Sequence, residues 1–167
     1  MRNLPLLGLV ILSLIGCGAI FGFFYAWSVS TLRGLDRIDP AIAIAAMQAM
    51  NASVRNMAFG LGYFGTPVVL LITLATAMLM QARGAAMALA IALACYGLGV
   101  TLFTAQVNIP MNQALAQVTL PLEPEQAAQI WDDYSAPWQQ ANLLRGIASG
   151  LALLAAAVSL VLVARRS

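Results

Sequence analysis

The sequence predicts an all-α membrane protein, an antiparallel bundle of four transmembrane helices with short amphipathic helices in two outer loops. Three observations carry that reading. Of the 167 residues, 62% are hydrophobic and 8% are charged, and the mean hydropathy is +0.87, whereas a soluble domain carries about 25% charged residues. Four apolar runs each reach the roughly 20 residues that a bilayer core requires. The arginines sit asymmetrically about those runs, as the positive-inside rule expects of a polytopic chain. The whole chain reads as one membrane domain, with helices over residues 4–30, 57–81, 85–107 and 136–163 and outer loops over 31–56 and 108–135.

The first run is unbroken, and its Gly18 and Gly22 form a GxxxG pair that lets a second helix approach closely. Leu14-Ile15-Gly16-Cys17, behind Arg2, resembles a lipoprotein cleavage box that would make Cys17 a lipidated N-terminus. The chain beyond Cys17 stays apolar where a secreted lipoprotein turns polar, so the uncleaved helix is the preferred reading. In the first outer loop, Asp39-Pro40 is a helix start, with a capping carboxylate and a proline where its missing donor is harmless. Ile44, Met47, Met50 and Val54 then recur at helical spacing opposite Gln48, Asn51 and Arg55, which describes a short amphipathic helix at the membrane surface. Its methionines read as packing rather than as a copper site.

Pro67 removes a donor from the second helix and frees the carbonyl of Tyr63, so a kink is expected there, lined by Gly60, Gly62 and Gly65. Gln81 to Gly84 forms a tight turn into the third helix. No Asp or Glu lies in the middle of any run, which argues against a proton-coupled transporter. Pro110 disfavours helical geometry at Ile109, so a kink or restart is expected in NIPMN (Asn108 to Asn112), with a short helix possible over 113–118. Pro124 opens another short helix to Asp133, and the fourth transmembrane helix starts near Ser135 as N-cap with Pro137 in its first turn. Gly146 and Gly150 form a second GxxxG that could face Gly18 and Gly22.

Residues 108–145 gather polar chemistry that the rest of the chain lacks: four carboxylates, two Trp, several amides and Arg145. Trp138, Asn142, Arg145 and Ser149 share one helical face, extended backwards by Trp131 and Tyr134. An interfacial aromatic belt explains the Trp and Tyr as readily as a ligand site does. Arg145 is different. It lies about ten residues, hence about 15 Å, inside its helix, where a guanidinium needs a carboxylate, carbonyls, water or a ligand. Asp36, Asp39, Asp132 and Asp133 are the carboxylates in reach.

The eight basic residues are all Arg, the net charge is +2, and there is no His. That balance gives no nucleic-acid footprint, and Cys17 and Cys95 show neither metal-ligand nor disulfide spacing. Arg2, Arg83, Arg165 and Arg166 on one side place both termini in the cytoplasm and the long loops in the periplasm or outside the cell. The expected partners are the lipid bilayer and a small hydrophobic aromatic ligand, with a homo-oligomer left open.

GLDRIDP (Gly34 to Pro40) leading to Met50-Asn51, NIPMN after the third helix, and the WxxYxxxWxxxNxxR pattern from Trp131 to Arg145 resemble the anthrone oxygenase-like membrane family over nearly the whole chain. The resemblance implies a protein of the bacterial inner membrane. It also implies oxidation of an anthrone-like phenol to a quinone without metal or flavin, so no cofactor is expected. Within that chemistry Arg145, Asn142 and Asn108 would donate to a phenolate or enolate oxygen, and Asp132 or Asp133 would be the base. Trp131, Tyr134 and Trp138 would stack on the ring, with Asn51, Tyr63 and Asn112 completing the ligand site. The competing reading is a noncatalytic membrane protein whose outer cap binds a lipid, a small ligand or a protein. Convergence of Asn108, Asn142 and Arg145 on a cavity favours the first; an Arg145 closed into an ion pair favours the second.

Overall fold

The computed structural model describes residues 3–166, so the basic contribution of Arg2 to the topology lies outside the described residues. Every regular element among them is helical. Helix α1 (Leu4–Ala26) continues through a π-helical segment (Trp27–Thr31) into α2 (Leu32–Leu35), and α3 (Pro40–Ser53) and α4 (Met57–Leu79) follow. Helix α5 (Arg83–Ala94) runs through two π-helical segments, Cys95–Leu102 and Thr104–Asn108, into α6 (Ile109–Ala116), and α7 (Pro124–Ala164) completes the chain. Four continuous spans, Leu4–Leu35, Met57–Leu79, Arg83–Ala116 and Pro124–Ala164, are long and apolar enough to cross a membrane. The chain is an integral membrane protein with the expected all-α architecture.

Helix α1 packs against α4 and α7, and α5 packs against the same two, so sequential spans are neighbours around the bundle. At one end, Gln81 takes a positive φ of 55° to reverse the chain. Arg166 fastens the end of α7 to that turn by donating to the Gln81 and Met80 carbonyls at 2.7 and 3.3 Å. The opposite end carries a cap built from α2, α3, α6 and the first turns of α7. Its core is separate from that of the bundle: Leu32, Ile44, Met47 and Leu115 pack with Trp131, Tyr134 and Trp138.

Asp39 caps α3 as the sequence predicts, accepting from the backbone N–H groups of Ala41 and Ile42 at 2.9 and 3.1 Å. The helix does not present one solvated polar face, however. Gln48 turns inward and donates to the Leu115 and Val118 carbonyls, both at 2.9 Å, where α6 ends and its last acceptors lack helical donors. Asn51 is buried as well.

Two expected breaks are absent. The short helix from Pro124 and the fourth transmembrane helix are one element of 41 residues. Ser135 is a buried mid-helix residue rather than an N-cap, and Pro137 lies well inside the helix. Pro137 faces outward, so the Asp133 carbonyl that it frees is on an exposed side, while Trp131, Tyr134 and Trp138 bury a continuous stripe that holds the helix together. Likewise α5 does not restart at NIPMN. The π-helical stretch before it already interrupts ordinary i to i−4 pairing, and Pro110 falls in the first turn of α6, where no donor is missed.

Pro67 sits inside α4, and the Tyr63 carbonyl that it frees accepts a hydrogen bond from Tyr96 Oη at 2.7 Å. Tyr63 Oη in turn donates to the Val100 carbonyl at 3.2 Å, within the first π-helical segment of the neighbouring span. Two tyrosines thus tie α4 to its neighbour where regular bonding lapses on both. The glycines of the second GxxxG do face α1, but they meet phenylalanines rather than the first GxxxG: Gly150 faces the Phe21 ring and Gly146 faces Phe24, while Gly18 approaches Leu153 and Gly22 has open space before it.

Candidate functional site

Beneath the cap lies a cavity of about 500 Å³, in the size range of small-molecule sites. Helical register divides its wall into levels. Asn51, Arg55, Asn56, Asn112 and Gln113 surround its mouth. Phe23, Trp27, Phe59, Phe64 and Trp138 form an aromatic middle, and Phe24, Tyr63, Thr104 and Arg145 form the floor. Asn56 and Tyr63 lie seven residues apart at the start of α4, a rise of about 10 Å between the level of the mouth and that of the floor. The middle is tightly organised: ring centroids are 5.0 Å apart for Phe23 and Phe59, 5.3 Å for Trp27 and Trp138, and 5.4 Å for Phe59 and Tyr63.

Arg145 is 6% exposed, and its partners are all neutral. Nη2 donates to Asn142 Oδ1 at 3.0 Å, Nη1 approaches Thr104 Oγ1 at 3.5 Å, and Nε has no partner. The guanidinium carbon lies 4.5 Å from the Phe24 ring centroid and 5.2 Å from that of Trp138, contacts that offset part of the cost of removing a cation from water. None of the four expected carboxylates reaches it. Asp36 instead accepts from Trp131 Nε1 at 3.1 Å, Ser135 Oγ at 2.6 Å and Gln139 Nε2 at 2.8 Å, latching α2 to α7. Asp39 is occupied as the α3 cap. Asp132 and Asp133 are exposed and off the buried stripe, and Asp133 accepts from Gln129. A buried cation without a counter-ion is costly to desolvate.

Five of the sequence-selected residues line the cavity: Asn51, Tyr63, Asn112, Trp138 and Arg145. The others stand around it. Asn142 is behind Arg145, where Nδ2 donates to the Phe24 carbonyl at 3.0 Å and Ser28 Oγ at 2.8 Å, leaving Oδ1 aimed at the guanidinium. Tyr134 Oη and Trp138 Nε1 both donate to Asn112 Oδ1 at 2.8 Å, and Asn51 Nδ2 donates to Tyr134 Oη at 3.4 Å. Trp131 belongs to the Asp36 latch. Asn108 is 1% exposed, and neither atom of its amide has a partner. Its register places it between Thr104, which faces Arg145, and Asn112, which faces Trp138. Asn108, Asn142, Trp131, Tyr134, Asp132 and Asp133 do not line the cavity.

Sequence reasoning missed most of the aromatic wall. Phe23, Phe24 and Trp27 sit in an apolar run where they read as lipid-facing, yet five aromatics within residues 21–27 were an available signal. Phe59 with Tyr63 at i, i+4 was another. Arg55 was legible only as part of the polar face of the amphipathic helix, and Asn56 only as a loop residue. Among the described residues, no three His, Cys, Asp or Glu side chains converge as metal ligands.

Comparison with known families matches residues 27–158 to the family model described as Anthrone oxygenase, a stretch that takes in every wall of the cavity except Phe23 and Phe24. No curated protein and no solved structure matches the chain.

Proposed function

The chain belongs to the anthrone oxygenase family, and from that premise we propose that it oxidises a small hydrophobic phenol of the anthrone type with dioxygen, without metal or flavin, in the Arg145 cavity. The observation that carries the proposal is the guanidinium itself, buried at the floor of an aromatic slot with an unpaired Nε and no acid beside it.

In this reading the ring system stacks among Phe59, Trp27 and Trp138, and its oxygen points down onto Arg145. Ionisation of the ligand places negative charge on that oxygen, where the guanidinium stabilises it as an oxyanion site does. No carboxylate lines the cavity, so the acidity comes from Arg145 acting on the ligand's own hydroxyl or methylene, and the proton leaves to water at the polar mouth. Asn142 keeps the guanidinium in place.

The anion is conjugated to the carbon opposite the oxygen. That carbon gives one electron to dioxygen, and recombination forms a carbon–oxygen bond to a peroxide, which takes up the proton released earlier. Loss of the remaining hydrogen on that carbon, with cleavage of the oxygen–oxygen bond, yields the ketone and water. One dioxygen is consumed for each quinone and each water formed. The same reading has the turn end, with Arg83, Arg165 and Arg166, on the cytoplasmic side of a bacterial inner membrane and the cavity mouth on the far side, a topology that the positive-inside rule supports.

The test is oxygen uptake and quinone absorbance with dihydroxyanthrone and the bilayer-reconstituted protein. One dioxygen per quinone, faster than protein-free membranes and suppressed by Arg145→Ala, supports the reading. A rate equal to that of empty membranes overturns it.

A further inference from the structure

The cavity contains a second arginine that the oxidation does not use. Arg55, in the connection between α3 and α4, lines the mouth, is exposed, and makes no side-chain hydrogen bond or ion pair among the described residues. The other polar residues lining the mouth, Asn51, Asn56, Asn112 and Gln113, are neutral. The lining therefore contains two cations and no anion, Arg55 at the mouth and Arg145 deeper, between the Phe24 and Trp138 rings. Arg145 at the floor is buried with Nε unpaired. A neutral or singly acidic ring would satisfy one end and leave the other to water.

We propose that the cavity selects a fused-ring phenol carrying a second acidic group, a carboxylate, at the end of the ring system remote from the oxygen held by Arg145, and that Arg55 is the residue that reads it. The inference rests on the reading of the slot as a phenol site and adds to it the substrate class. Both arginines line the same cavity of about 500 Å³, so one rigid fused-ring ligand meets Arg145 through its oxygen and Arg55 through the carboxylate. The guanidinium of Arg55 takes a carboxylate through two parallel N–H donors, a geometry that a lysine cannot reproduce. The bilayer cannot supply this recognition, because the carboxylate must lie on the same rigid frame as the ring.

The experiment measures quenching of the cavity tryptophans, Trp27 and Trp138, in phosphatidylcholine nanodiscs by two unreactive probes, dihydroxyanthraquinone and its ring-carboxylated analogue. The wild type is expected to bind the carboxylated probe about tenfold more tightly, and Arg55→Gln is expected to reduce that preference towards equality, with Arg55→Lys between them. Thermal unfolding of each variant shows whether the fold is intact. Equal binding of the two probes by the wild type overturns the proposal and leaves the phenol site standing. Arg55→Gln weakening both probes alike also overturns it, because Arg55 would then support the cap rather than read the ligand. Binding of neither probe overturns the phenol reading together with the inference.

Discussion

Asn142 and Arg145 are joined by a 3.0 Å hydrogen bond from the guanidinium Nη2 to the amide oxygen, while the amide nitrogen is held by the Phe24 carbonyl and Ser28. The amide orientation is thereby fixed: both donors are engaged by α1 and its continuation, so only the oxygen can face the arginine. An amide orients the cation without neutralising it, which a carboxylate at the same position would do.

Asn142→Asp is expected to pair Arg145 and remove the free positive charge from the cavity floor. Binding of dihydroxyanthraquinone should fall by more than tenfold, an effect of at least about 1.4 kcal/mol, although the cavity keeps its shape. The variant loses the donors to Phe24 and Ser28, so a modest stability cost accompanies it. Tryptophan quenching and thermal unfolding separate the two effects. Retention of wild-type affinity would show that the ligand does not use the guanidinium charge.

Tyr96→Phe removes the donor to the Tyr63 carbonyl that Pro67 leaves unpaired, at a position fully buried among apolar side chains. The expected cost is about 1–3 kcal/mol in unfolding. Pro67→Ala restores a backbone donor to that carbonyl, so the double variant should be less destabilised than the sum of the two single ones. A double-mutant cycle in detergent measures that coupling, and strict additivity would mean that the tyrosine and the proline do not share the acceptor.

Much of this was legible in the sequence because it depends on local rules. Apolar length gives the four spans, Asp39-Pro40 gives the start of α3, and the four-three-four spacing gives the buried face carrying Trp138, Asn142 and Arg145. The Pro67 rule named the freed carbonyl, but not Tyr96 as its partner, since that donor lies on another helix. What local rules missed was decided by tertiary packing. Pro137 and Pro110 were read as boundaries, yet a buried aromatic stripe carries α7 past the first, and a π-helical register absorbs the second. Phe23, Phe24 and Trp27 were indistinguishable from lipid-facing residues until α4 and α7 came up against them. The ion pair that the sequence left open for Arg145 does not form: Asp36, one of the four carboxylates in reach, is committed to Trp131, Ser135 and Gln139.

Asp36→Ala is expected to unlatch the cap. Three donors lose a shared acceptor, and Trp131 Nε1 and Ser135 Oγ belong to buried residues. Hydrogen exchange should accelerate in α2 and in the first three turns of α7, while the turn end around Gln81 keeps its protection. Uniform protection in wild type and variant would show that the cap core of Met47, Leu115 and Trp131 holds those elements unaided.

Gly99→Ala tests how closely the π-helical segment approaches α7 next to the site. A Cβ at Gly99 would lie 2.5 Å from the Cβ of Ala148, an atom fixed to the backbone with no rotamer to yield. The helices must separate one turn from Arg145, at an expected cost of about 1–3 kcal/mol. The displacement should also weaken probe binding, because Thr104 and Arg145 belong to the two spans pushed apart, Arg83–Ala116 and Pro124–Ala164. A variant with unchanged unfolding would mean that the two backbones separate there at no cost.

Replacing Arg145 by methionine separates a functional cation from a structural one. Were the guanidinium a structural element, its removal would leave partners unsatisfied and lower stability. Its removal leaves one acceptor without its donor, Asn142 Oδ1; the other neighbours are Phe24, Trp138 and a 3.5 Å approach to Thr104, with no carboxylate to be stranded. Replacing a buried ion pair by apolar side chains of similar volume is often neutral or stabilising by about 1–4 kcal/mol, and an unpaired buried cation has no partner charge to offset its desolvation, which outweighs the one hydrogen bond to Asn142. Arg145→Met is therefore expected to unfold at the same temperature as the wild type or a higher one, while losing both probe binding and dihydroxyanthrone oxidation. A stability gain with loss of function would identify the arginine as a charge retained for the ligand at the expense of the fold. A clear drop in unfolding temperature would instead make Arg145 part of the scaffold and leave the cavity without its anion-binding floor.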